Sequence, residues 1–89
     1  MGLSKKQTKT LQAIFETPTR SDVAWSDVEK LFVTLGADIS EGRGSRVRVA
    51  LQDSKAVFYR PHPQKETNKG ALKSVRRFLT EAGFTPEED

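Results

Sequence analysis

The sequence predicts an α+β domain, a three-stranded antiparallel sheet with helices packed on one face and an extra helix at the N-terminus. Three observations carry this. Apolar residues recur with a helical period at both ends of the chain, they alternate with a period of two around Val47, Val49 and Leu51, and glycine or proline stands at the junctions. The strand candidates are joined by short local connections, which suits antiparallel pairing, because parallel neighbours need a long crossover. With 89 residues and 35% apolar content, the side chains suffice for one modest core.

Ser4 to Glu16 reads as the first helix. Leu3, Gln7, Leu11, Ile14 and Phe15 form a narrow stripe, and Pro18 breaks it by disfavouring helical backbone in the residue before it. A second helix follows Trp25, where Ser26 and Glu29 have the spacing of a capping box with Trp25 as a staple. Val28, Leu31, Phe32 and Leu35 make its apolar face, and Gly36 supplies the left-handed terminus.

Beyond Gly36 the period changes. Ala37 to Ser40 is a short strand and Glu41-Gly42-Arg43-Gly44 a turn; in the next strand Val47, Val49 and Leu51 turn inward while Arg46, Arg48 and Ala50 turn to water. Gln52 to Lys55 reads as a hairpin turn into Ala56–Arg60, whose unbroken apolar run leaves its facing open. Pro61 and Pro63 stop pairing. Asn68 or Thr67 caps a last helix with Ala71, Leu72, Val75, Leu79 and Ala82 inward, Lys69, Lys73, Arg76 and Arg77 outward, and Gly83 at its end.

Charge narrows the function. Residues 1–41 carry five basic and six acidic side chains, residues 42–77 ten basic and two acidic, and residues 78–89 four acidic and none basic. A cationic middle block is the footprint of a polyanion-binding face, and equally of a well-solvated basic surface. Cysteine is absent and histidine single, which argues against disulfides, metal clusters and a resident cofactor. No apolar run is long enough to span a membrane and no secretory signal is readable, so a cytoplasmic protein without membrane contact is expected.

From Trp25 to Phe84 the order of elements and several motifs resemble the HicA toxins of bacterial toxin–antitoxin pairs. The shared marks are the helix Val28 to Leu35 ending at Gly36, the turn Arg43-Gly44-Ser45, the Pro61-His62-Pro63 segment with Lys65-Glu66, and Lys69 to Val75 opening the last helix. The resemblance implies a fold like the double-stranded-RNA-binding domain, cleavage of messenger RNA without a cofactor, and a HicB-like antitoxin protein as partner. It divides the chain into an N-terminal helical extension (1–24), the family domain (25–84) and an acidic tail (85–89). The family usually places its catalytic histidine directly after the glycine and serine of the turn. Here that position is Arg46, which donates hydrogen bonds to phosphate and takes up no proton.

His62 is then the only side chain that titrates naturally near neutrality, held between two prolines. The catalytic expectation is His62 as acid or base with Arg46 on the phosphate. The RNA-binding expectation covers Arg43, Ser45, Arg46 and Arg48 around the strand, together with Lys65, Lys69, Lys73, Arg76 and Arg77. The plain alternatives stand beside these: a surface histidine in a turn, arginines that keep an open sheet face soluble, and a solvated helix. Loss of the usual histidine leaves open a non-catalytic RNA-binding module acting in regulation or antitoxin binding. Trp25, Phe32 and Tyr59 fit either base stacking or the core.

Overall fold

A computed structural model describes residues 3–61 and 66–86. The chain runs α1 (Lys5–Ile14), β1 (Val23–Ala24), α2 (Trp25–Thr34), β2 (Asp38–Glu41), β3 (Arg46–Leu51), β4 (Ser54–Tyr59), β5 (Glu66–Thr67) and α3 (Lys69–Glu81). Strands β2, β3 and β4 form an antiparallel sheet in that order, and the helices cover one side of it. This is the small α+β, double-stranded-RNA-binding-domain-like architecture that the sequence predicts. A second, two-stranded ribbon, β1 against β5, joins Val23 to Thr67 and Ala24 to Glu66. It has no signature in the sequence, because two residues are too few to show alternation.

Local chemistry accounts for the helix ends. Ser4 and Gln7 close a reciprocal capping box on α1, each side chain bonding the other's backbone N–H at 3.1 Å. The box expected at Ser26 and Glu29 does not form. Helix α2 begins at Trp25, so Ala24 is its N-cap and makes no side-chain bond, while Glu29 is drawn away to Trp25 and Arg60. An indole N–H taken out of water needs an acceptor, and Glu29, one turn on, is within reach. Asn68 caps α3 by accepting from Ala71 N at 2.8 Å. Gly36 and Gly83 have φ of 96° and 90°, the left-handed conformation their helix ends require.

The core is continuous from α1 to the sheet. Ile14, Val28, Leu31, Phe32, Val47, Val49, Leu72, Val75 and Leu79 are wholly or almost wholly buried, with Leu11, Trp25, Leu51, Phe58 and Phe78 beside them. Phe58 of the sheet stands 5.8 Å from the rings of Trp25 and Phe32 and 5.7 Å from that of Phe78, so one aromatic cluster bolts both family helices to β4. Phe78 belongs to the inward face of α3 in addition to the residues the period predicts. Leu11, Ala13 and Ile14 share this core, which makes α1 part of the same packed body as α2 and α3.

Candidate nucleic-acid interface

The open side of the sheet is built by strict alternation. On β3, Val47, Val49 and Leu51 are buried and Arg46 and Arg48 exposed. The register sets Arg46 opposite Tyr59, Arg48 between Ser40 and Val57, and Ala50 between Asp38 and Lys55. These eight residues therefore share one face. The hairpin turn is tighter than expected: β4 starts at Ser54, leaving only Gln52 and Asp53 to reverse the chain. That register settles the ambiguous run, with Ala56 and Phe58 turned to the helices and Val57 and Tyr59 to water.

The turn before β3 aims its arginines. Gly42 N donates to Arg46 O at 2.9 Å and Arg46 N to Arg43 O at 3.2 Å, while Gly44 takes the left-handed φ of 62°. A methyl group on Gly42 would lie 3.4 Å from the Arg46 stem, so that side chain runs back across the turn. Its guanidinium carbon lies 5.8 Å from the Tyr59 ring centroid, a cation held against an aromatic face. Among the described residues, Arg43, Arg46, Arg48 and Lys55 have no carboxylate within ion-pair distance; Asp38, at the far end of the face, is its one acidic member. Arg48, Lys55, Asp38, Ser40, Ala50 and Val57 line a shallow groove across the strands.

The other expected residues are distributed differently. Lys73 and Arg77 are exposed on α3, across that helix from Leu72, Val75 and Leu79, and so belong to the helical side rather than the open sheet face. Arg77 pairs with Glu81 at 3.2 Å within the helix. Lys69 is exposed in the first turn of α3 and Ser45 in the turn before β3. Arg76, expected outward, is turned instead toward the end of α1. It donates to Ile14 O at 3.1 Å, Glu16 O at 2.7 Å and Thr19 Oγ1 at 3.3 Å, since a helix end leaves carbonyls in need of donors. His62 and Lys65 lie outside the described residues.

A buried-edge charge cluster stands where β4 leaves the sheet. Arg60 N pairs with Ser45 O at 2.9 Å, and its guanidinium reaches Glu29 at 2.7 Å and Glu41 at 3.3 Å. Hydrogen bonding from Arg60 holds the Glu29 carboxyl below its usual range against the desolvation that would raise it, with Trp25 and the Arg60 charge adding to the effect. Sequence reading had spent Glu29 on a helix cap and did not pair it with Arg60. Their separation of 31 positions leaves no local signal.

Comparison with known proteins agrees with this geometry over the helices and the sheet. Neither the curated proteins nor the solved structures give a match. The family model described as the HicA toxin of bacterial toxin–antitoxin systems does match, over residues 25–84. That segment holds α2, the whole three-stranded sheet and α3, and on it the chain belongs to the HicA toxin family.

Proposed function

We propose that this toxin binds messenger RNA on the open face of β2, β3 and β4 and cleaves it as a metal-independent endoribonuclease until its antitoxin covers that face. The observation supporting the reading is the exposed, unneutralised pair Arg46 and Arg48, side by side on one sheet face with Arg43 at the adjoining turn. Each guanidinium that meets a phosphate releases condensed counterions, so affinity is electrostatic and falls with salt.

Cleavage without a metal proceeds by attack of a ribose 2′-oxygen on its own 3′-phosphate. The 2′-hydroxyl proton goes to a base, the phosphorane carries extra negative charge, and the departing 5′-oxygen takes up a proton, leaving a 2′,3′-cyclic phosphate and a 5′-hydroxyl. Arg46 and Arg48 are suited to the second task. Proton transfer falls to His62, the chain's one imidazole, two residues after the anchored Arg60. Lys69, Lys73 and Arg77 extend the cationic surface on the helical side.

Arg46 itself favours a second reading, in which the chain binds RNA or occupies the antitoxin without cutting. A guanidinium stands where the resemblance places a histidine, and it does not accept the 2′-proton. Incubation of purified protein with messenger RNA in chelator decides between them. Products ending in cyclic phosphate, lost in a folded His62→Ala protein, support cleavage. Salt-dependent binding without products supports the second reading, and cleavage retained in His62→Ala removes that residue's role.

A further inference from the structure

The open face carries more than charge. Tyr59 is 60% exposed and Val57 50%, although the other large rings of the domain, Trp25, Phe32, Phe58 and Phe78, are gathered in the core. Both lie on β4 directly across from the arginines, Tyr59 against Arg46 and Val57 against Arg48. A phenol ring and an isopropyl group left in water on a face that needs only solubility are an unfavourable choice, where Lys or Thr would serve a solvated strand as well. Arg46 is held beside the ring and not drawn off to a carboxylate.

This pairing discriminates between kinds of RNA. A duplex presents phosphates and 2′-hydroxyls across its shallow groove and keeps its bases stacked inside, so an aromatic ring at the interface gains nothing from it. An unpaired nucleotide presents a planar π-face with a phosphate on either side. A tyrosine ring flanked by a guanidinium across the ladder and a second one diagonal to it matches that pattern.

Resting on the RNA-binding face proposed above, we infer that Tyr59 is a stacking platform for one unpaired base, with Arg46 and Arg48 on the adjoining phosphates, so that the occupant of this face is single-stranded RNA. Val57 extends the apolar ledge toward the next nucleotide, and Arg46 both braces the ring and reaches the backbone.

The test uses 2′-O-methyl oligonucleotides, which cannot cyclise, in three forms: a single strand, the same strand with abasic sugars, and a duplex of equal length. Binding is measured over a range of salt for the wild-type chain and for Tyr59→Ala, Tyr59→Phe and Arg48→Ala, with circular dichroism confirming the fold of each. The expected result is preference for the single strand with bases, a loss of about 5- to 150-fold in Tyr59→Ala, recovery in Tyr59→Phe, and an unchanged salt slope in both. Equal binding by wild type and Tyr59→Ala, with Arg48→Ala weakened, overturns the stacking site and leaves the RNA face standing. Preference for the duplex, or indifference to the missing bases, also overturns it. No RNA binding by the wild type removes the RNA face as well, and a Tyr59→Ala defect seen only against the antitoxin would assign the ledge to that protein.

Discussion

The guanidinium of Arg60 grips the carboxylate of Glu29 from two nitrogens, Nε to Oε2 at 2.7 Å and Nη2 to Oε1 at 3.2 Å, and so ties the last residue of the hairpin to the middle of α2. The same carboxylate accepts the Trp25 indole N–H. This clamp holds the chain immediately ahead of the Pro61-His62-Pro63 segment. Glu29→Gln retains an acceptor for Trp25 but loses the charge, and is expected to cost about 1 kcal/mol. For a domain of this size that lowers the melting temperature by roughly 4–8 °C, measured by thermal denaturation at neutral pH.

The pair also gives the domain an acid limb. Because Arg60 holds the Glu29 carboxyl below its ordinary value, the native state binds fewer protons there than the unfolded chain. The resulting stabilisation is fully present above the unfolded value of about 4.3 and is lost as pH falls through the folded one. Melting temperature should therefore fall less steeply in Glu29→Gln than in the wild type below that point. Parallel acid limbs in the two proteins would show that the clamp is not linked to stability.

Arg76 separates structure from binding. Removing its guanidinium in Arg76→Ala leaves the Ile14 and Glu16 carbonyls without those donors and is expected to destabilise by about 1–3 kcal/mol. RNA affinity of the folded fraction should hardly change. A large loss of affinity at unchanged stability would place Arg76 on the nucleic acid instead.

Helix α1 should be indispensable to the core although it precedes the family segment. Ile14 is fully buried, and Ile14→Ala is expected to cost about 2–5 kcal/mol through the cavity it leaves. Denaturant titration reads this directly as a lower midpoint with an unchanged slope.

Arg48 should act through charge alone. It is exposed on the sheet, so Arg48→Ala should leave the fold intact, weaken RNA binding, and lower the salt slope by about 0.7 for each phosphate released. An unchanged slope would remove Arg48 from the interface.

How much of this was legible depends on the range of the interaction. The buried face of β3, the turn at Gly44 and the caps at Gly36, Asn68 and Gly83 follow from residues within four positions of one another, and the structure places them as read. Facing on β4 was hidden because Val57, Phe58 and Tyr59 are all apolar in character, and only pairing with β3 tells them apart. Glu29 was misassigned since two motifs competed for one side chain and the distant partner won. Arg76 looked like a free cation for the same reason: its acceptors are some 60 positions away, in a helix whose docking no periodicity reveals.

The two-residue turn at Gln52 and Asp53, with Gln52 at a φ of 55°, has an implication for how this protein tolerates change. A single residue inserted there would slip β4 by one step against β3 and exchange its sides. Phe58 would leave the aromatic cluster for solvent while Val57 and Tyr59 were driven beneath the helices. Mutational drift at that corner therefore cannot damage the outer surface alone, because the frame that presents Tyr59 to solvent is the frame that seats Phe58 in the interior.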